Sequence, residues 1–535
     1  MRARLRLLLE AAGDLVAAGR TLVRAGLVRP VVPRAELLGL ALRAPFKSPN
    51  LGSAVALHAA MQPGRAAIVD EQGTVSWRRL NDRVRRLANA LLTVAEPGDR
   101  VAFMLRNGRE NVECYAACGL AGMSAVPVNT WSSTDDIRHI VQTQEPKLLI
   151  ADREFTDAVT GAGAPAIWWV GEDDAYERHL AAAPDKPPPV KGSSHIVTHT
   201  SGTTGKPKGA QRQLGGGALG VLVTFLEQVP LRRTDVFFIA PPLFHQFGQA
   251  MMAVGLVLGS TLVLRRRFDA EEFLQAAVVN RATAAAVLPV MLQRIAELTG
   301  PVPVPRFRLV LSSGSALPPA LRDRAEHRIG DVIYDLYGST EVGWATIASP
   351  QDHHRRPGSV GRPGRDTTIV IVDDEGNRLP PGEPGRIFVA SGFAFEGYTG
   401  VEADQAVIDG AIEIGDVGYL DDEGYLFVTG RSDDMIVSGG ENIFPSEVEG
   451  ALEHHPDIRE NAVVGIDDEE FGQVLHAFVV VRDGAALTAG DVKTFVQERL
   501  ARYKAPKKVT FLDALPRNAT GKILKKDLRS GANGS

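Results

Sequence analysis

Thr200-Ser201-Gly202-Thr203-Thr204-Gly205-Lys206-Pro207-Lys208-Gly209 is the stretch from which the rest of this chain is best read. Its three glycines let the backbone turn tightly around an anion with no Cβ in the way. Thr200, Ser201, Thr203 and Thr204 carry hydroxyls that donate to anionic oxygens, and Lys206 and Lys208 supply opposing charge. The preceding His195-Ile196-Val197-Thr198 reads as a short strand feeding the loop. Pro207 stands where a Walker A loop needs Ser or Thr after Gly-Lys, so this is a different polyphosphate cradle. Taken alone, such a cluster is more commonly a plain surface turn. Its neighbours decide between the two.

With 535 residues the chain exceeds one core and divides into several domains. A hydrophobic content of 44% and a charged content of 23% are those of a globular protein. The net charge of −5 gives no bulk electrostatic reason to bind nucleic acid. Cys114 and Cys118, the two cysteines, are too few for a thiolate metal site and read as buried core thiols of a reducing compartment. No run reaches the roughly 18–20 apolar residues a membrane span needs. Residues 1–47 hold nine basic side chains against three acidic ones, interleaved with Leu, Val and Ala. Such a segment forms basic amphipathic helices that either adsorb to an anionic membrane or pack as an arm on the body. The expected location is cytoplasmic, with peripheral contact at the inner face of the membrane.

From about residue 51 the pattern is α/β. Strands are predicted at Ala66–Val69, Arg100–Met104, Lys147–Ala151, Asp235–Ala240, Thr261–Leu264, Ala284–Leu288, Arg308–Ser312 and Val332–Leu336. Helical patterns such as Trp77–Leu92 and Met291–Leu298 alternate with them, which implies largely parallel sheets flanked by helices. Between about 360 and 430 the spacing shortens to strand and turn, a β-rich subdomain. After Ser432-Asp433-Asp434 a compact α+β unit is predicted, with a strand at Leu475–Val481, a helix at Ala489–Leu500 and a basic tail over Lys504–Lys526. The divisions are a 1–50 extension, a large domain over 51–431 and a small domain over 432–535. Gly215, Gly217 and Gly220 fit a GxGxxG pattern, but no apolar strand leads into them, so they are not a dinucleotide fingerprint.

Four more constellations follow in order. Tyr337-Gly338-Ser339-Thr340-Glu341 offers a ring and close backbone approach to a nucleobase, with Glu341 a hard oxygen ligand for Mg²⁺. Gly415-Asp416 presents a carboxylate at a turn, able to accept from both hydroxyls of a ribose, and Arg431 can donate to the same sugar. Gly439-Gly440-Glu441-Asn442 is a glycine hairpin past which a thin ligand can slide, and Gly521-Lys522 puts a lysine on a turn. Each alone is an ordinary turn or surface charge. Together, and in this order, they are not.

On these motifs residues 51–530 resemble the acyl-adenylate-forming (AMP-binding) superfamily, most like its bacterial fatty-acyl-CoA ligases. The resemblance implies an adenylate-forming fold: a large domain of mixed and parallel sheets with a β-rich subdomain, and a small mobile C-terminal lid. It implies ATP, Mg²⁺ and coenzyme A, and conversion of a medium- to long-chain fatty acid through acyl-AMP to acyl-CoA. Thr200, Ser201, Gly202, Thr203, Thr204, Gly205 and Lys208 would hold phosphates, and Thr340 the α-phosphate. Glu341 would bind the metal, Gly314, Tyr337 and Gly338 adenine, and Asp416 and Arg431 ribose. Lys522 would bridge the acyl carboxylate and the α-phosphate, Asp433 would be the hinge, and Gly439 and Gly440 would line the pantetheine path. His245 matches the gate beside an acyl pocket drawn from Phe247, Met251, Val287–Met291 and Ser312–Gly314. Ile414 departs from the Thr or Ser that many relatives place before Gly-Asp, and His199 receives no role. The alternatives are an acyl-AMP ligase serving a carrier protein, an aryl or sterol acid ligase, and a catalytically silent acyl or nucleotide binder at a membrane.

Overall fold

The computed structural model describes residues 18–26, 50–171, 175–188, 194–201, 207–213, 218–339, 342–392, 398–399, 406–438, 441–468, 471–518 and 521–532. Six parallel strands form the centre of the first sheet, in the order Ile333–Tyr337, Leu309–Ser312, Ala284–Val287, Val236–Ile239, Thr261–Val263 and Ala66–Asp70. Antiparallel strands close its edges, Gly73–Ser76 on one side and Thr346–Ala348 with Arg362–Pro363 on the other. The second sheet sets His195–Ser201, Ser124–Pro127, Arg100–Met104, Leu148–Asp152 and Ile167–Val170 in parallel. Ala284–Val287, Leu309–Ser312 and Leu148–Asp152 are buried at every position, because helices cover both faces and leave no polar side. The predicted strands therefore appear within a residue or so of their expected ends.

The connecting helices bury one stripe each. Trp77–Leu91 buries Trp77, Leu80, Val84, Leu87 and Leu91, and Ser76 caps it by accepting from the Arg79 N–H. Cys114 and Cys118 are buried free thiols on the helix Arg109–Ala121, as their spacing implied.

A third, antiparallel sheet holds Thr367–Val372, Gly385–Ser391, Ala411–Leu420 and Leu426–Arg431, which is the β-rich subdomain. The fourth sheet pairs Ile458–Asp468 with Gly472–Val481, adds Lys508–Phe511 in parallel, and packs against Pro445–Leu452 and Ala489–Gln497. The predicted basic tail is thus not one unit: it contributes this strand, a connecting turn and the helix Lys525–Ala532.

Of the N-terminal extension, residues 18–26 lie on the body of the large domain. Thr21 and Ala25 are buried, the Ala25 carbonyl accepts from the Arg233 N–H at 2.8 Å, and Arg24 donates to the Leu226 carbonyl. This stretch is a packing arm. The remaining residues of 1–47, to which membrane contact was assigned, lie outside the described residues. Among the described residues no helix is long and apolar enough to cross a membrane.

Asp335 is buried in the strand Ile333–Tyr337, two residues before Tyr337. Burial, only partly opposed by Arg322, pushes its carboxyl from the ordinary 3.8 to about 7. A carboxyl raised in the folded state holds its proton where the unfolded chain has lost it, so stability falls as pH rises from about 4 to about 7. Asp335→Asn is expected to flatten part of that slope and to raise stability at pH 8 by on the order of 2–4 kcal/mol. Denaturant midpoints at pH 5 and pH 8 check this, and an unchanged difference between them refutes it.

Candidate active site

Two strands that pair with each other flank the phosphate loop. Thr200 pairs with Lys208 and Ser201 with Pro207, so the strands Thr200 and Lys208 belong to run into the loop from either side. The leading strand is longer than expected, ending at Ser201 instead of Thr198. Gly202, Thr203, Thr204 and Gly205 lie outside the described residues, as do Thr340, Glu341, Gly439 and Gly440.

The residues expected to hold the nucleoside meet in one corner, where the first sheet joins the third. Tyr337 ends its strand and donates its hydroxyl to Asp416 Oδ2 at 2.5 Å. Arg431 lies directly across the ladder from Asp416, with Nη1 3.3 Å from Oδ1. Burial and the Asp416 carboxylate raise the Tyr337 phenol well above its usual range, which keeps it a donor. Gly415 holds φ +74°, the left-handed bend that turns Asp416 toward this corner. Gly338 is required by close approach: a Cβ there would lie 2.7 Å from Trp344 Cα. Gly314, exposed after the strand Leu309–Ser312, reaches the same sheet end, where Ser313 Oγ donates to the Leu336 carbonyl at 2.8 Å. A carboxylate beside a guanidinium can bind a vicinal diol, and Tyr337 adds a flat face for a base.

His245 is the N-cap residue of the helix Gln246–Leu258, and its Nδ1 has no hydrogen-bond partner. Burial lowers the imidazole from its ordinary 6.5 to about 4, so it is neutral near pH 7. Three residues absent from the sequence reading fix the turn that carries it. Asn107 donates to the Pro241 carbonyl at 2.9 Å and accepts from the Leu243 N–H at 2.8 Å. Tyr115 donates to the Leu243 carbonyl at 2.7 Å and Gln249 to the Phe244 carbonyl at 2.8 Å. Only contacts from more than a hundred residues away reveal Asn107 and Tyr115 as part of this region. Of the residues expected around the acid, Met251, Val287 and Ser312 are buried, whereas Val290 and Gly314 keep access to solvent.

Asp433 lies in the 3₁₀ turn Ser432–Asp434 between the third and fourth sheets. Ser432 Oγ donates to the Gly415 carbonyl at 3.1 Å, tying the turn to the nucleoside corner. Asp434 instead accepts from Arg529 at 2.8 Å, so the next residue but one is fastened to the last helix. Ser438 and Glu441, on either side of Gly439 and Gly440, pair with each other. Lys522 is exposed on its turn, and the adjacent Gly521 abuts Val290 of the large domain. Among the described residues no group of three or more His, Cys, Asp or Glu could hold a metal ion.

Residues 55–399 match the AMP-binding enzyme family and residues 447–522 the AMP-binding enzyme C-terminal domain. The chain is 35% identical to an indoleacetate–CoA ligase of Aromatoleum aromaticum over 88% of its own length and 96% of that protein. It is 32% identical to a fatty acid–[acyl-carrier-protein] ligase of Streptomyces coeruleorubidus, over 90% of its length and 96% of the relative. The structure of o-succinylbenzoate CoA synthetase from Bacillus subtilis, in complex with its acyl-adenylate intermediate, superposes with a TM-score of 0.80 at 31% identity. That superposition covers 89% of this chain and 97% of the other. The chain therefore belongs to the AMP-binding enzymes, the acyl-adenylate-forming superfamily. It is an acid–thiol ligase of the AMP-forming kind.

Proposed function

We propose that the protein activates a compact, largely apolar carboxylic acid, aryl or arylalkanoic, and transfers it to coenzyme A. The observation that carries the nucleotide half is the Tyr337–Asp416–Arg431 corner at the end of the parallel strands. The likeness to an o-succinylbenzoate CoA synthetase supports an aromatic acid. The likeness to an indoleacetate–CoA ligase supports the same class.

In the first step a carboxylate oxygen attacks the α-phosphorus of ATP and the bond to pyrophosphate breaks. Thr200, Ser201, Gly202, Thr203, Thr204, Gly205 and Lys208 grip the leaving phosphates, Thr340 the α-phosphate, and Gly314, Tyr337 and Gly338 flank adenine. Asp416 and Arg431 hold the ribose. Glu341 would hold Mg²⁺, a hard cation that takes oxygen ligands and would neutralise charge on the departing phosphates. Lys522 counters the charge of two approaching anions. In the second step the lid turns at Asp433, Lys522 withdraws, and the thiol passes Gly439 and Gly440 to the acyl carbon, releasing AMP. His245, neutral and unpartnered, gates the acid pocket without adding charge.

A second reading, a fatty acid delivered to CoA or to a carrier protein, is supported by the likeness to the fatty acid–[acyl-carrier-protein] ligase of Streptomyces coeruleorubidus. Turnover of aryl, arylalkanoic and medium- to long-chain acids, each with CoA or with acyl carrier protein, separates the two. Arylalkanoic acids with CoA are expected to exceed long-chain acids in kcat/KM by about 10-fold or more. A preference for long chains supports the second reading, and absence of pyrophosphate release with every acid rejects both.

A further inference from the structure

The lysine turn is anchored in the body of the lid. Asn518 accepts from the Lys522 N–H through Oδ1 at 2.9 Å, and its own N–H donates to the Lys522 carbonyl at 2.9 Å. Arg517 spans the turn. Its Nη1 donates to the Gly521 carbonyl at 2.6 Å, and its Nη2 donates to Glu460 Oε2 at 2.6 Å. Glu460 sits on Ile458–Asp468, the long edge strand of the lid sheet, which pairs along its length with Gly472–Val481, and the pair is about one-fifth exposed on each side. One guanidinium therefore fastens the carbonyl just before Lys522 to a rigid strand, a fork that lysine could not reproduce.

Gly521 then meets the large domain. It holds φ +77°, and a Cβ there would lie 2.9 Å from Val290 Cβ. Val290 is in the first turn of the helix Pro289–Ala296, which follows the strand Ala284–Val287 of the first sheet. This side of the sheet carries Gly314 and Tyr337.

We propose that Arg517 and Glu460 are positioning residues for adenylate formation: they hold the Gly521–Lys522 backbone fixed on the lid, and Gly521 seating on Val290 sets how far the lysine advances. The proposal rests on the assignment of Lys522 to the first half-reaction. A lysine on a floating turn reaches the same atoms but loses the orientation that a braced one has before the substrate arrives. The brace is needed only while the lid presents Lys522, so the thioester step does not depend on it.

The test measures both half-reactions in the full-length protein: ATP–pyrophosphate exchange, and thioester synthesis from premade acyl-AMP and CoA. Arg517→Met is expected to slow exchange about 10- to 100-fold through kcat, with KM for ATP little changed and thioester synthesis within about twofold. Glu460→Gln, which keeps an accepting oxygen but not the charge, gives a smaller loss of the same pattern. Arg517→Lys behaves like Arg517→Met and stands in for it if that variant does not fold. Gly521→Ala loses exchange and keeps thioester synthesis. Equal losses in both half-reactions, or unaffected exchange in Arg517→Met and Glu460→Gln, overturn the proposal. Lys522→Ala measured alongside separates the two claims. If it fails to divide the half-reactions, the lid assignment falls; if it divides them and Arg517→Met does not, only the brace falls.

Discussion

Lys522→Ala lowers the rate of acyl-adenylate formation by about 10²–10³, or roughly 3–4 kcal/mol of transition-state stabilisation, and spares thioester formation from premade acyl-AMP. The physical reason is charge. Two anions, a carboxylate and a phosphate, approach each other in the first step, and the proposed role of this ammonium is to lie between them. Its exposure on the turn leaves it free to reach into the large domain, while Gly521 against Val290 places it at the domain boundary. In the second step a thiol meets a neutral acyl carbon, and no such convergence of anions occurs. Exchange and thioester assays on one preparation measure both. A uniform loss would mean that the lysine supports the fold or a shared intermediate, and the rotating-lid account would be wrong.

Asp416→Ala raises KM for ATP and lowers kcat/KM for ATP by about 10²-fold or more, because a charged hydrogen-bond acceptor is worth about 1.5–3 kcal/mol and both the ribose and the corner lose it. The partners are explicit. Tyr337 loses the acceptor of its 2.5 Å bond, and Arg431 loses the carboxylate 3.3 Å from its Nη1. Asp416→Asn retains shape and one accepting oxygen, so it is expected to fall between the wild type and the alanine variant. KM for the carboxylic acid should barely move in either, since Tyr337 and Arg431, the side chains bonded to Asp416, are assigned to the nucleoside. Steady-state kinetics with ATP and acid varied separately checks the prediction. A KM for the acid that rises as much as that for ATP would remove Asp416 from the nucleotide site.

Much of the fold is legible because parallel strands covered on both faces must be apolar throughout, and Ala284–Val287 and Leu309–Ser312 are. Their periodicity needs no tertiary information. The strand His195–Ser201 shows where that legibility stops. Its last residues are the hydroxyl-rich start of the phosphate loop, polar by function, and only pairing with Pro207–Gln213 makes them strand. The basic stretch near the C-terminus was read as a single tail for a similar reason: charge marks exposure, and it does not report whether exposed residues lie on strand, turn or helix.

The amino-acid order alone determined the class of chemistry, since the phosphate loop, Tyr337–Glu341, Asp416, Arg431 and Lys522 are local motifs whose residue types follow from the ligand they serve. It also determined the α/β alternation. Only the tertiary structure decided that Asp416, Arg431 and Tyr337 share one hydrogen-bonded corner, that Asn107 and Tyr115 hold the His245 turn, and that Arg517 braces the lysine against Glu460. These are contacts between residues far apart in the chain. They arise from the closing of sheets and the docking of a lid, and no local pattern of residues encodes which distant side chain will arrive there.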